Sequence, residues 1–231
     1  MRPTRFDELS PSYDDLLRDP LRDLFTGQES MFFHRRKSEL IRRFFRRRRI
    51  DTSGLRHLDV GCGKGELLNL LQADFAHSAG CDVSANMVRQ IAGMETLLQS
   101  DPLRIPFEDG VFDLVTAVCV YHHVPVVGRG ALTGEIRRVL RPGGFFCMIE
   151  HNPWNPVTRL IVSRTPVDAD AILLGVAEAR RLATGAGLQP VEQAYFLYLP
   201  QALFRCAGWM EDLLARVPLG GQYGLFSQRP L

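Results

Sequence analysis

The sequence has no long apolar run and no paired cysteine motif. A membrane-spanning helix needs roughly 18 consecutive apolar residues, and no such run occurs in the 231 residues. The five cysteines are an odd number without a C-x-x-C pair. This excludes a disulfide framework and a zinc-finger type of site and favours reduced thiols. The first 20 residues carry acids and no apolar segment, so we expect neither a signal nor a transit peptide, no membrane partner, and a cytoplasmic location.

Lysine is also scarce. Only Lys37 and Lys64 occur among the 28 basic residues, the others being arginine, and these stand against 26 acidic residues. Residues 35–49 hold nine basic residues and one acid, although the net charge of the whole chain is only +2. This basic stretch fits a solvated helix face, a contact to a substrate phosphate or carboxylate, or a contact to nucleic acid.

The remaining composition is that of a globular protein, with 45% hydrophobic and 23% charged residues, and the length suits one domain with additions. From about residue 57, short apolar runs alternate with helical patterns, which indicates βαβ units and a parallel sheet. We predict strands at 55–60, 79–83, 97–100, 112–120, 145–149, 191–199 and 223–227, and helices at 64–73, 84–97, 131–140, 176–184 and 201–217.

Two segments lie outside this alternation. Residues 1–54 are predicted to form an N-terminal helical cap, because an apolar stripe recurs at helical spacing through Phe33, Leu40 and Phe44. Residues 152–175 contain three prolines and little periodicity. We predict that they form an insertion or lid within the main domain, which spans 55–231.

The strongest local pattern is a strand that ends in Asp59 and runs into a glycine-rich turn, Gly61-Cys62-Gly63-Lys64-Gly65, before a helix. Glycine lets a ligand lie against bare backbone. The turn lacks the third glycine of a dinucleotide fingerprint, because Glu66 stands there, and it lacks the P-loop pattern. An acid beside such a turn favours a cationic ligand over a phosphate.

Two further acids follow at strand ends. Asp82 comes 21 residues after Gly61, which is where a nucleotide-binding sheet carries an acid for the ribose hydroxyls. Asp101 ends the next predicted strand and can accept from an adenine amino group. Three successive strand ends therefore carry an acid at the edge where open α/β sheets bind ligands.

The segments HLDVGCGKGELL, GCDVS, SDPLRIPFEDGVFDLVTAVCVYHHV and RRVLRPGGFF resemble the successive motifs of class I S-adenosylmethionine-dependent methyltransferases. The resemblance is closest to the small-molecule enzymes of ubiquinone and natural-product pathways. It implies a Rossmann-like sheet of seven mostly parallel strands, with the last strand antiparallel and helices on both faces. It also implies S-adenosyl-L-methionine as cofactor and a small-molecule methyl acceptor, methylated at N or O by in-line displacement.

The same resemblance assigns cofactor contacts. Asp59 and the glycine-turn backbone would hold the methionine part, Asp82 the ribose and Asp101 the adenine amino group. Pro102 has no N–H to donate to adenine, so either Leu103 donates or adenine is held less specifically. The implied cofactor set is Asp59, Gly61, Cys62, Gly63, Gly65, Asp82, Val83, Met87, Asp101, Pro102, Leu103 and Cys119, and no metal site is expected.

Acceptor and catalytic residues are expected after the fourth and fifth strands. His151, His123 and Glu150 are the candidate catalytic residues, since histidine suits proton transfer near pH 7, although each can equally be structural. The candidate substrate contacts are Tyr121, His122, Trp154 and Arg36.

Two other functions stay open. An RNA or protein methyltransferase would use the basic face of residues 35–49, but the phenylalanines in this stretch fall on its apolar stripe rather than between the arginines, unlike a stacking surface for bases. A non-catalytic cofactor-binding scaffold is the other alternative. Nucleic acid is therefore a less favoured partner than a small molecule.

Overall fold

A seven-stranded β-sheet forms the centre of the molecule. The computed structural model describes residues 4–26 and 31–231. Its strands are β1 (Arg56–Val60), β2 (His77–Asp82), β3 (Glu95–Leu98), β4 (Phe112–Val118), β5 (Leu140–His151), β6 (Gln189–Phe196) and β7 (Gln222–Gln228).

The strand order is β3-β2-β1-β4-β5-β7-β6. Strands β1 to β5 pair in parallel, whereas β7 is antiparallel to both β5 and β6. The Rossmann-like sheet with an antiparallel last strand is therefore confirmed. The chain leaves β1 toward one edge and returns through β4 toward the other, so the sheet has its switch point between these two neighbours, where open α/β sheets bind ligands.

Helices cover both faces of the sheet. They are α1 (Arg5–Leu9), α2 (Tyr13–Leu16), α3 (Pro20–Thr26), α4 (Phe32–Arg48), α5 (Glu66–Leu71), α6 (Ala85–Val88), α7 (Val126–Val139), α8 (Pro156–Arg164), α9 (Val176–Gly185), α10 (Gln201–Ala207) and α11 (Trp209–Leu214). Apolar side chains of α7 and α9 pack on one face, and those of α4 and α5 pack on the other. Among the described residues, no helix is long and apolar enough to cross a bilayer.

Three predicted helices differ from the structure. The helix predicted at 84–97 is only α6, capped by the Ser84 hydroxyl, because the chain turns at Gly93 and enters β3 two residues later. The helix predicted at 64–73 is the shorter α5, followed by a 3₁₀ turn. The helix predicted at 201–217 is divided into α10 and α11 at Gly208.

Helix α4 fixes the place of the basic stretch. Its Phe44 is 1% exposed and stacks on Phe226 of β7, with 3.9 Å between ring centroids. With this stripe buried, the arginines of the other faces meet acids of the surrounding elements. The pairs are Arg42 with Asp74, Arg43 with Asp212, Arg48 with Glu192, and Arg36 with Glu211 and Glu39. Much of the basic face therefore neutralises the acidic body of the same chain.

The packing of Phe44 predicts a large effect on stability. Phe44→Ala removes a ring from a closed cluster, which typically costs about 3–5 kcal/mol. Urea unfolding should show this loss in the free energy of unfolding. The control Leu213→Ala truncates a side chain that is 74% exposed and should change stability by less than about 0.5 kcal/mol. Equal stability of the two variants would contradict the assignment of α4 to the core.

Candidate active site

One large cavity of about 760 Å³ lies at the carboxyl ends of the central strands. Its volume falls in the range of roughly 300–1,000 Å³ typical of small-molecule sites. Residues after β1, β2, β4 and β5 line its floor, and residues of the N-terminal helices and of α8 line the opposite side. The side of the cavity opposite the sheet is therefore formed by residues of both the predicted cap and the predicted insertion.

The glycine turn presents bare backbone to this cavity. Gly61 has φ +71°, and a Cβ atom added there would overlap Cγ2 of Val120. Its N–H and that of Cys62 both donate to Cys81 O, at 2.8 and 3.0 Å, which holds the turn on β2. Gly65 is the residue immediately before α5 and lies outside the cavity lining, so its predicted cofactor contact stays a prediction.

Two of the predicted acids are buried and face the cavity. Asp59 is 3% exposed. Burial raises the pKa of its carboxyl to about 7, although a hydrogen bond from Thr116 and the charge of Lys37 both lower it. Asp82 is 7% exposed and accepts from Gly63 N at 2.9 Å and Ser84 N at 2.8 Å. Each carboxylate keeps lone pairs for a ligand.

The third acid belongs to a looser turn. Asp101 is exposed and accepts from Leu103 N through Oδ1 at 2.9 Å. The Leu103 N–H, which could donate to adenine in place of the N–H that Pro102 lacks, therefore already donates within the turn. Val83 and the buried Met87 line the same part of the cavity. Of the two alternatives, the structure favours an adenine held less specifically.

A polar cluster that the sequence did not predict lies beneath the end of β4. The Lys37 ammonium is 6% exposed and lies 3.5 Å from the Cys119 thiol. Gln222 Nε2 lies 3.4 Å from both Cys119 Sγ and His151 Nδ1. Gln222 is 5% exposed, and its Oε1 has no hydrogen-bond partner among the described residues. All four side chains line the cavity.

Lys37 lowers the pKa of the Cys119 thiol. Burial alone raises this pKa, but the charges of Lys37 and His151 outweigh burial and bring it to about 6. Cys119 also adopts φ +58°, a backbone conformation that is uncommon outside glycine. Cys119 is a predicted cofactor contact, and the structure adds that its thiol is acidic and faces the cavity.

The histidine turn after β4 forms a second polar cluster. His122 Nδ1 lies 2.6 Å from Glu150 Oε2, and His122 Nε2 lies 3.5 Å from Asp168 Oδ1. Burial disfavours the charge of His122, but Glu150 and Asp168 outweigh burial and raise its pKa to about 10. His123 Nε2 lies 3.4 Å from the same Asp168 oxygen, and burial and the charge of His122 lower its pKa to about 4.

Four predicted catalytic or substrate residues lie outside the cavity lining. Glu150 is fully buried and accepts from the backbone of residues 120 and 121 and from His122, so its role is structural. Tyr121 is fully buried with its hydroxyl on Thr133. Trp154 is 74% exposed. Arg36 lies over the Phe204 ring and pairs with Glu211.

The correction for Arg36 follows from helix geometry. Successive helical residues lie about 100° apart around the axis, so Arg36 faces α10 and α11 while the next residue, Lys37, enters the cavity. His151 and His123 do line the cavity, as predicted for catalytic candidates, and His122 borders it. Gln222 and Asp168 are among the lining residues that the sequence motifs did not indicate, and Lys37 belongs to the basic stretch for which a substrate carboxylate was one predicted contact.

The reactivity of Cys119 tests the polar cluster. Alkylation by iodoacetamide, followed site by site by mass spectrometry, should rise with pH about a midpoint near 6, because the thiolate forms above the pKa of about 6. Lys37→Met should move the midpoint upward, since the ammonium that stabilises the thiolate is gone. Exposed Cys206 is the internal reference. An unchanged midpoint in Lys37→Met would contradict the pairing.

Comparison with known proteins agrees with this geometry. Residues 58–148 match the family described as "Methyltransferase domain". The chain is 29% identical over 157 residues to the demethylmenaquinone methyltransferase of Thermus thermophilus, covering 64% of each protein. It is 31% identical over 120 residues to the tRNA (carboxymethyluridine(34)-5-O)-methyltransferase of Arabidopsis thaliana, covering 51% of this chain and 29% of the plant protein.

The chain thus spans less than two thirds of the length of these relatives. Among solved structures, a SAM-dependent methyltransferase from Archaeoglobus fulgidus shares the fold with a TM-score of 0.61 and 17% identity, over 87% of this chain and 100% of that one. The matched domain contains the glycine turn, the acid-bearing strand ends and the histidine turn. Residues 58–148 therefore match a methyltransferase domain, within a fold that the chain shares with a SAM-dependent methyltransferase.

Proposed function

We propose that this protein transfers a methyl group from S-adenosylmethionine to an N or O atom of a small, largely apolar molecule. The observation that carries the proposal is the composition of the one large cavity. One end holds the glycine turn and the acids, and the other end is lined by apolar side chains of the N-terminal helices and α8. The apolar set includes Leu17, Phe25, Phe33, Val157, Ile161 and Val162.

The cofactor fits the first end by charge and shape. Asp59 is a buried carboxyl whose pKa is raised to about 7 by burial, so a cationic ammonium beside it would relieve the cost of its ionisation. Asp82 offers unshared lone pairs to two ribose hydroxyls. The turn at Gly61 has no room for a side chain and leaves its backbone open to a ligand.

Lys37 completes this end of the cavity. A methionine moiety carries a carboxylate as well as an ammonium group. The buried Lys37 lines the cavity, and its charge lowers the pKa of Asp59. We therefore assign Lys37 to the carboxylate and Asp59 to the ammonium. Each buried protein charge would then face an opposite charge of the cofactor, because an uncompensated buried charge is costly.

Hydrogen bonds and ion pairs connect the N-terminal helices to the residues that follow β1 and β2 and to residues 152–175. Asp7 accepts from the Ser84 hydroxyl at 2.8 Å, and Asp14 pairs with Lys64 at 2.9 Å. Two ion pairs join the N-terminal helices to residues 152–175, namely Arg5 with Asp170 and Arg164 with Asp19. We propose that the two segments together act as a cover that excludes water during transfer.

When bound, S-adenosylmethionine supplies a methyl group already activated by a sulfonium centre. The protein then has to position the acceptor and, for a hydroxyl acceptor, to accept its proton. We assign that proton to His151. Its Nδ1 lies 3.4 Å from Nε2 of the Gln222 amide, and its ring lines the cavity.

The arginine pairing weighs against a nucleic-acid substrate. Phosphate binding needs cations that are available to the backbone of the polymer, whereas four arginines of α4 are paired with acids of this chain. The similarity to a tRNA methyltransferase keeps RNA as one outcome of the assay below. Intact acids and glycine turn weigh against a scaffold without activity.

Asp82 should dominate cofactor binding. Asp82→Ala removes the acceptor for two hydroxyls, and each lost partner of this kind typically costs about 1–3 kcal/mol. Calorimetric titration with S-adenosylmethionine should therefore show affinity lowered by at least about tenfold. The matched control is Asp109→Ala, since Asp109 pairs with Arg138 at the surface. Equal affinities for the two variants would refute the ribose assignment.

Transfer of tritiated methyl groups tests the substrate class. With a cell extract as acceptor source, label should enter the fraction soluble in organic solvent, and His151→Ala should lower this incorporation by at least about tenfold without a matching loss of cofactor affinity. His77→Ala, at the start of β2 and paired with Glu95, is the control. Label in RNA or protein alone would overturn the small-molecule proposal.

A further inference from the structure

We propose that His122, His123 and Asp168 bind one divalent transition-metal ion of the zinc class at the acceptor end of the cavity. No metal was expected from the sequence, because Asp168 lies 45 residues beyond His123 in the segment 152–175. The fold brings the three side chains together, and each offers one ligand atom within 4.8 Å of the other two.

The distances suit a metal ion, whose binding would displace the proton that the raised pKa of His122 places on its ring beside Asp168. His122 Nε2 and His123 Nε2 lie 3.5 and 3.4 Å from the same Asp168 oxygen. Both distances exceed the usual N–H···O range of roughly 2.7–3.2 Å. Tetrahedral ligands at about 2.0–2.1 Å from zinc are roughly 3.4 Å apart. Both His–Asp distances therefore match the edge of a tetrahedral site, and the third pair of ligand atoms lies within 4.8 Å.

The ligand atoms are also oriented by a second layer of contacts. Fully buried Glu150 accepts from His122 Nδ1 at 2.6 Å, which leaves Nε2 as the atom that faces Asp168. This carboxylate–histidine pairing is the usual support of a histidine metal ligand. The edge of the Phe6 ring packs against His123, with 5.1 Å between centroids. Two histidines and one carboxylate on such supports form a common ligand set for transition metals.

The site is open on the side where an acceptor would bind. His122, His123 and Asp168 all line the cavity, and so does His151, whose ring centroid lies 5.1 Å from that of His122. Three protein ligands leave a further coordination position for water or for an oxygen atom of a bound molecule. The assignment thus concerns the substrate end of the cavity and not the cofactor end.

The consequence for the reaction rests on the proposed function. A hydroxyl group coordinated to a divalent metal loses its proton more readily, and that proton passes to His151 or to water. The oxygen keeps its electron pair and is left as the nucleophile. The metal therefore narrows the acceptor class to molecules with a hydroxyl or phenol oxygen.

Cobalt(II) titration of the full-length, untagged, metal-free protein tests the site without any need for activity. Tetrahedral cobalt(II) has intense visible bands, so the spectrum reports both binding and geometry. We expect one cobalt ion per chain, displaced by zinc, without the near-ultraviolet band of a thiolate ligand. Asp168→Asn and His123→Ala should each weaken binding by at least about tenfold, as loss of a ligand or its support typically does.

The control is again His77→Ala, which removes the exposed histidine that pairs with a single carboxylate, Glu95, and should bind cobalt like the unchanged protein. Thermal melting of Asp168→Asn separates loss of a ligand from loss of fold. The proposal is overturned by absence of tetrahedral bands, by a thiolate band, or by equal binding in Asp168→Asn and His77→Ala.

Failure of the metal site and failure of the proposed function give different results. Methyl transfer to a small molecule by protein that binds no cobalt would refute the metal site alone. Tetrahedral cobalt in a protein that transfers no methyl group to any fraction would support the metal site and refute the proposed function.

Discussion

The packing of α4 against the sheet is the interaction on which the rest of the site depends. Phe44 stacks on Phe226 and thereby sets the rotation of the helix about its axis. That rotation directs Arg36, Arg43 and Arg48 toward acids of β6 and α11. It also directs Lys37 into the cavity, where it meets Cys119.

The charges of the molecule are arranged by the same packing. A stretch of nine basic residues on an acidic chain suggests a polyanion as partner when it is considered by its charge alone. In the folded protein the arginines meet acids of the chain itself, and surface pairs of this kind contribute little individually. Three buried charged residues, Asp59, Asp82 and Lys37, line the cavity instead, where desolvation makes each one responsive to a ligand.

The sequence predicted the parts of the site that depend on local pattern. The strand ending in Asp59, the glycine turn and the acid of Asp82 follow from apolar runs and spacing. The seven mostly parallel strands with an antiparallel last strand follow from the resemblance. Pro102 predicts a departure at the adenine end, because a missing N–H is a property of the residue itself. The sequence indicated the histidine turn after β4, but it did not indicate which residues around this turn are buried.

The cavity residues that no motif indicated come from elements far apart in the chain. Lys37, Gln222 and Asp168 reach the cavity from α4, β7 and the segment 152–175, and their directions depend on helix rotation and on tertiary path. One signal was present for Lys37, since it is one of only two lysines in an arginine-rich chain. Trp154 was assigned to the substrate by proximity to His151, yet the chain turns it outward to 74% exposure.

A crystal structure with S-adenosylhomocysteine would test the central claim most directly, because it shows which side chains surround the cofactor product. The account predicts ribose hydroxyls on Asp82, adenine beside Met87, the amino group near Asp59, the carboxylate near Lys37, and sulfur facing the part of the cavity that contains His151. A product bound away from Asp82, or with its sulfur turned from His151, would contradict the account.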